Sequence, residues 1–438
     1  MPVLKSKRKK VNGLVRGIKV LAFGLVLVVM GFIGLLWFAR PDTSEVEKRT
    51  LTPFPAVTLA SFWDGSFFKE VDTWYADTFP LREGLISGSD WLKNHYGLRG
   101  DQIVTMGAAQ VADEIPTDAE KVKPEIDITP AEPLEDGTIT ELGEMQGGIY
   151  ITNNSAYGLY YFVQSGADTM AATMNKIYAD HKDEIDLYVM VAPMSSSVML
   201  DKSVIDDMGC SDERETINYL FDQMDEGIHK VNVVENMRIH NAEYLYFRTD
   251  HHWTQLGAYY AYQVFCKEKG IYPKDLKEYT PVEYPGFLGT YYANTKSPAL
   301  AGNPDTVVTY TPLGTNDMGY IGQDGQYRDW TIITDVTGWA ASGLYGAFVG
   351  GDRPLSMVHN PNVTDGSAVM VVKDSYGNAF VPWLVDQYEY VYWVDYRYTS
   401  NTISQMVEEY NVQDVIFEMQ SYNSTSAKAA ARYAAIGL

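Results

Sequence analysis

Cysteine and histidine are both scarce in this chain, and lysine and arginine are scarce everywhere except at its start. Two cysteines in 438 residues, Cys210 and Cys266, are too few for a disulfide framework, and no Cys-x-x-Cys pair suggests a zinc site. They can form one bridge or stay free. Of the 34 lysines and arginines, seven (Lys5, Lys7, Arg8, Lys9, Lys10, Arg16 and Lys19) crowd into residues 1–19, which contain no acid. The rest of the chain therefore sets 27 bases against 57 acids, a balance that argues against sequence-independent nucleic-acid binding. Only seven histidines are present, and two of them, His251 and His252, stand side by side next to Asp250.

Directly after the basic head, residues 20–39 form an almost unbroken apolar run. Its length, near the roughly 20 residues a helix needs to cross a bilayer, reads as an uncleaved signal anchor with the basic residues 1–19 in the cytoplasm. A cleaved signal peptide would have a shorter apolar core and a small-x-small site, and no clear Ala-x-Ala is present. Residues 40–107 follow as a juxtamembrane helical segment, with Phe62, Trp63, Phe67, Phe68, Trp74 and Tyr75 close together. Acid, proline and threonine then dominate residues 108–145, which read as a disordered acidic insertion.

From residue 146 to 438 the pattern is that of an α/β domain. Strands are predicted over 148–151, 159–162, 185–193 and 230–234, and helices over 167–181 and 213–224, with a polar turn at 194–197. Thr254 is a plausible N-cap for a helix over 255–268. Residues 270–343 read as loop-rich. Three apolar strands, 368–372, 388–394 and 414–419, then alternate with helices near 380–388 and 401–410, which implies a parallel sheet covered on both faces. Ligands of such sheets lie beyond the carboxyl ends of the strands, where Ser195, Asp374, Ser375, Asp395, Arg397 and Asn423 all fall. The 32 tyrosines offer flat faces suited to sugar stacking, or simply fill a tyrosine-rich core.

A serine hydroxyl becomes a useful nucleophile when a base takes its proton and an acid orients that base. Ser375, His252 and Asp250 supply this set. Tyr376, Asn378 and Arg397 are candidates for binding an oxyanion or substrate beside them. The competing readings are that Asp250 caps a turn, the histidines pack and Ser375 caps a helix, or that Asp250, His251 and His252 bind a metal. Adjacent histidines rarely aim at one ion, so no metal and no cofactor is expected, and His251 is expected to point away and support the local fold.

Six stretches carry a resemblance to a known family: 44–51, Asp77-Thr78-Phe79-Pro80-Leu81-Arg82, 246–254 with its Thr249-Asp250-His251-His252-Trp253-Thr254 core, 348–352, Lys373-Asp374-Ser375-Tyr376-Gly377-Asn378 and 394–398. Together they resemble the DHHW family of bacterial membrane-anchored proteins, itself similar to the SGNH-like domains of the alginate O-acetylation proteins AlgX and AlgJ. The resemblance implies a permuted SGNH-hydrolase-like three-layer α/β/α domain with Asp250 as acid, His252 as base and Ser375 as nucleophile. It implies an extracytoplasmic O-acyltransferase, most simply an O-acetyltransferase, acting on a cell-surface or exported polysaccharide. A multi-pass membrane protein supplying acyl groups is the implied partner. A surface carbohydrate esterase with the same triad, or a non-catalytic polysaccharide-binding scaffold, remain alternatives. Simple SGNH hydrolases have Gly-Asp where this chain has Lys373-Asp374, and they separate acid from base by three residues instead of two.

Overall fold

The computed structural model of the 438-residue chain describes residues 134–437 throughout and, before them, residues 43–44, 49–50, 53–55, 67–68, 71, 74–75, 78, 128 and 130. The apolar run at 20–39, the basic head and most of the expected juxtamembrane segment lie outside the described residues. Among the described residues no helix is long and apolar enough to cross a membrane. The chain divides into two units, 1–102 and 103–438. In the first, Thr43–Ser44 pairs antiparallel with Arg49–Thr50, and Phe54 packs edge-on to Trp74 at 4.7 Å.

The second unit opens with a small antiparallel sheet, β1 (Glu144–Gln146), β2 (Ile149–Thr152) and β3 (Ser155–Tyr157). The residues leading into it, at the C-terminal edge of the acidic insertion expected over 108–145, bond to segments further along the chain. Ile139 bridges Leu200, and the Asn241 side chain accepts from Gly137 N–H while donating to Asp136 and Thr138. A polar, proline-rich composition was not enough to predict this, because the holding partner comes from elsewhere in the chain. Residues 159–162, expected as a strand, have no strand partner and run as an irregular segment into α1 (Gln164–His181).

The main body is an eight-stranded mixed sheet. Its strands are β4 (Asp186–Ala192), β5 (His229–Val231), β8 (Asp317–Ile321), β9 (Tyr327–Thr331), β10 (Leu355–His359), β11 (Ala368–Lys373), β12 (Tyr390–Asp395) and β13 (Asp414–Gln420), in the spatial order β9-β8-β10-β12-β11-β13-β4-β5. Strands β12, β11, β13, β4 and β5 are parallel, and β10, β8 and β9 add an antiparallel edge. Two of those edge strands come from the stretch expected to be loop-rich. The same stretch forms a separate hairpin, β6 (Pro281–Phe287) with β7 (Asp305–Tyr310). Sequence alternation there is weak because β9 is mostly exposed, so the apolar runs that betrayed the central strands are missing.

Successive side chains of a strand point to opposite faces, and the central strands bury both. Val369 and Val371 of β11 join one core cluster, whereas Met370 and Val372 join the other. The first is covered by α3 (Gln255–Lys269) and α4 (Gly377–Leu384). The second is covered by α1, α2 (Glu213–Asp222) and α6 (Ala427–Ile436), with Ile403 and Met406 of α5 (Ile403–Tyr410). Most tyrosines serve this packing, and Tyr160, Tyr262, Tyr376, Tyr388 and Tyr433 are among the largest fully buried side chains. Cys210 and Cys266 are both free.

Helix α3 positions the histidine segment, and its start follows from local chemistry. Thr254 is extended, its hydroxyl accepts from Gly257 N–H at 3.2 Å, and the same hydroxyl donates to the Tyr244 carbonyl at 2.7 Å. Gly257 lets the helix approach, because a Cβ there would meet the Leu245 carbonyl at 2.5 Å. Gly270 ends the helix in the left-handed region. Thr254→Ala is expected to lower unfolding free energy by about 1–2 kcal/mol, as for other lost N-caps, while Thr254→Ser keeps most of it. Denaturant midpoints of the three proteins test this, and equal midpoints for Ala and Thr would contradict the capping role.

Candidate active site

The turn after β11 carries Ser375 beyond the carboxyl end of a central strand. Asp374 fixes that turn. One of its oxygens accepts from Tyr376 N–H at 2.9 Å, and the other accepts from Gln420 N–H at 2.8 Å and from the Asn423 side chain at 2.7 Å. The serine turn is therefore stitched to the end of the neighbouring β13. Two further bonds join it to the histidine segment. Trp253 donates its indole N–H to the Tyr376 carbonyl at 2.8 Å, and the Tyr376 hydroxyl donates to the His251 carbonyl.

These bonds bring together groups 123 residues apart. His252 Nε2 lies 2.8 Å from Ser375 Oγ, and His252 Nδ1 lies 2.5 Å from Asp250 Oδ1. A carboxylate only accepts, so the ring proton sits on Nδ1 and leaves Nε2 to accept from the serine hydroxyl. Asp250 is held at both oxygens: Oδ1 also accepts from His252 N–H at 3.0 Å, and Oδ2 accepts from Thr290 N–H at 2.7 Å and Thr290 Oγ at 3.0 Å. Burial on its own would raise the Asp250 carboxyl. The adjacent His251 and His252 and these hydrogen bonds outweigh it, and hold the group well below the usual carboxylate range.

Several supporting residues were not singled out from sequence. Gly289 must be glycine, since a Cβ there would lie 2.2 Å from Asp250 Cβ and 2.3 Å from Asp250 Oδ2. Thr290 follows it in the stretch read as loop, where no periodic signal marks either residue. Tyr345 stacks on the His252 ring with centroids 3.9 Å apart and planes 13° apart, and its hydroxyl donates to the Ser375 carbonyl at 2.8 Å. Asp352, at the end of the 348–352 stretch that shares in the family resemblance, arrives through Val349, Gly350 and Gly351, all at positive φ (49°, 65° and 88°). A β-branched residue in that region is strained, and such strain collects at functional sites.

His251 departs from its expected orientation. Its Nδ1 pairs with Thr290 Oγ at 2.7 Å and lies 3.7 Å from Asp250 Oδ1, so it leans onto the same acid as His252 instead of away from it. Thr290 explains this, because it offers a partner to both the acid and the second imidazole. The ligand atoms of Asp250, His251 and His252 consequently lie within 4.8 Å of one another, close enough in principle to share an ion. His252 Nδ1 and both Asp250 oxygens are already committed to each other and to Thr290.

The three candidate binding residues have definite partners. The Tyr376 hydroxyl is used on the His251 carbonyl. Asn378 donates to Asp352 Oδ1 at 3.0 Å. Arg397 clamps Asp395 and Asp352, reaching an oxygen of each at 2.6 Å through Nη2. All three side chains therefore stabilise the surroundings of the serine turn.

Burial, reinforced by the neighbouring His252, lowers His251 to about 4. An unfolded histidine titrates near 6.5, so the unfolded chain takes up that proton first as pH falls. The stabilising contribution of His251 is thus complete above about pH 6.5 and is lost between there and about 4. Melting temperatures of the native protein and of His251→Gln from pH 7.5 to 4.5 should show the native protein losing its margin over the variant as pH falls. A constant difference across that range would contradict the lowered His251 imidazole.

Comparison with known proteins finds relatives of this fold. A DHHW family protein from Eubacterium siraeum overlays with a TM-score of 0.60 at 27% identity, covering 66% of this chain and 96% of that one. PatB1 of Bacillus cereus gives a TM-score of 0.54 at 19% identity, covering 63% of this chain and 96% of that one. It has also been solved with a sulfonyl adduct, and that structure overlays with a TM-score of 0.53 at 17% identity, covering 63% of this chain and 97% of that one. No curated protein matches the chain. The DHHW protein family matches residues 47–131 and 122–394, which carry both the histidine segment and the serine turn, and the chain belongs to the DHHW family.

Proposed function

We propose that the chain is an extracytoplasmic, membrane-anchored O-acyltransferase that moves an acyl group, most simply acetyl, onto a polysaccharide hydroxyl through an acyl-serine. The observation that carries this reading is the continuous hydrogen-bonded series Asp250, His252, Ser375. On this reading the domain is a permuted SGNH-type α/β/α unit, with the acid and base ahead of the nucleophile in the chain. Residues 20–39 anchor it in a bacterial membrane, and a multi-pass membrane protein delivers acyl groups to the outer side.

In the first half-reaction Ser375 Oγ attacks the acyl carbonyl while His252 Nε2 takes the hydroxyl proton. The imidazolium is balanced by the buried Asp250 carboxylate. Collapse of the tetrahedral adduct breaks the bond to the donor's leaving group, which receives the proton from His252. In the second half-reaction a sugar hydroxyl attacks the acyl-serine and gives its proton to His252. Ser375 leaves as the hydroxyl once that proton is returned. Water in place of the sugar would give an esterase with the same residues.

Two exposed rings favour a sugar acceptor over water alone. Tyr398 follows β12 and Tyr422 follows β13, the two neighbours of β11, and they are 46% and 53% exposed. Because β12 and β13 flank β11, the segments that bear Tyr398 and Tyr422 leave the sheet on either side of the serine turn, at the same end. The Arg397 guanidinium lies 5.5 Å from the Tyr398 ring centroid, and Asn423, next to Tyr422, is bonded to Asp374. Both rings thus sit on backbone tied to the serine turn.

Phenylmethylsulfonyl fluoride, read by intact mass, should add one sulfonyl group to the native chain and none to Ser375→Ala. Equal labelling of the two would remove the acyl-serine reading. With an aryl acetate as donor, Ser375→Ala should lose activity by roughly 10³-fold or more. Adding an oligosaccharide to the native enzyme should yield acetylated sugar. Tyr398→Ala/Tyr422→Ala should keep the first burst of aryl alcohol but lose most of the acetylated sugar. Hydrolysis with no acetylated sugar from the native enzyme would decide for the esterase.

A further inference from the structure

Lys373, the residue standing where simple SGNH hydrolases have glycine, has a side chain with 0% exposure. Its ammonium is 3.3 Å from Asp352 Oδ1, 3.8 Å from Asp395 Oδ2 and 3.3 Å from the backbone carbonyl of Asp374. The two carboxylates are shared with Arg397, so two cations balance two anions here. Lys373 and Arg397 also hold Asp352 well below the usual carboxylate range against the opposing effect of burial. Glu418 lies against the same spot, with its carboxyl beside Gly377. Burial, aided by the charge of Asp374, pushes its carboxyl well above the usual carboxylate range.

The contact with the Asp374 carbonyl is the informative one. That carbonyl and the N–H of Ser375 belong to one peptide plane. Partial double-bond character along C–N couples them, so a cation at the oxygen draws electron density from the nitrogen and makes its hydrogen a stronger donor. Tyr376, Gly377 and Asn378 donate their N–H groups within the turn, whereas no acceptor for Ser375 N–H is found among the described residues. The lysine stem has little room to move: a Cβ at Gly377 would meet Lys373 Cβ and Cδ at 2.6 Å. Arg397 is occupied by Asp352 and Asp395, which leaves Lys373 as the cation on this peptide.

We propose that Lys373 is a positioning residue that holds its ammonium on the Asp374 carbonyl and so strengthens the Ser375 N–H as the hydrogen-bond donor to the oxyanion. The proposal rests on the acyl-serine reading above. The developing negative oxygen of the tetrahedral adduct accepts from Ser375 N–H, and Lys373 remains protonated throughout, with no proton moving to or from it. The electrostatic benefit is greatest in the tetrahedral state, where that oxygen is charged.

Asp374-Ser375 is the sole Asp-Ser pair in the sequence, so a chain labelled with carbonyl-¹³C aspartate and ¹⁵N serine gives one carbonyl-to-amide correlation, that of this peptide. In Lys373→Met, the Asp374 carbonyl carbon and the Ser375 amide proton should both move upfield. The aryl-acetate burst should slow on the order of 10-fold, less than the 10²–10³ for deleting a donor outright. If the single variant fails to fold, Lys373→Met/Asp352→Asn removes one charge of each sign and is read in the same way. Signals that stay in place in a folded variant, or a burst rate equal to the native one, overturn the proposal. Absence of a burst from the native enzyme would instead count against the acyl-serine reading, while the resonance shift still decides whether Lys373 polarises the peptide.

Discussion

The site depends on a reciprocal clasp between two distant turns. Trp253 gives its indole proton to the carbonyl of Tyr376, and Tyr376 gives its hydroxyl proton to the carbonyl of His251. Each donor is a buried aromatic residue, so each ring adds packing area that holds its bond in alignment. The clasp brackets His252 from both sides. With His251 and Trp253 both fixed to the serine turn, the imidazole between them has little freedom except to face Ser375. Stacking on Tyr345 restricts its tilt as well.

Around that clasp, charge is arranged in two compartments. On the histidine side, Asp250 is an ionised acid surrounded by donors, with Gly289 leaving room for the carboxylate and Thr290 bonding to it. On the strand side, Asp352 and Asp395 are neutralised by Lys373 and Arg397, and Asp374 is satisfied by donors on its own turn and on β13. A buried ion that loses its partner is far more costly than one that never had to be buried. Shifting Asp250 or Lys373, both almost fully buried, would therefore leave an unpaired charge out of reach of water.

The parallel core was legible because its strands are buried on both faces and read as continuous apolar runs, as in Val369-Met370-Val371-Val372. Asp250, His252 and Ser375 were legible because a pair of histidines beside an acid, and a serine just past a strand, are rare against this composition. The antiparallel edge was not, since β9 is exposed and carries no run to distinguish it from a loop. Gly289, Thr290 and Tyr345 escaped for a different reason. Their importance lies in what stands opposite them in space, at separations of 30 to 93 residues from the groups they touch, and no local pattern encodes that. His251 was misread because its second partner, Thr290, comes from that same unmarked stretch.

The stitching of the serine turn to the end of β13 has a consequence for how the protein is made. Strand β13 lies between β11 and β4, and its register with β4 joins residues more than two hundred positions apart. Long-range parallel pairing of this kind carries a large loop-closure cost and forms slowly. Asp374 receives two of its three donors only when the last strand, followed by Asn423, has been inserted between its neighbours. The turn that carries Ser375 thus gains its last hydrogen bonds late in folding, once β13 has been inserted between its neighbours.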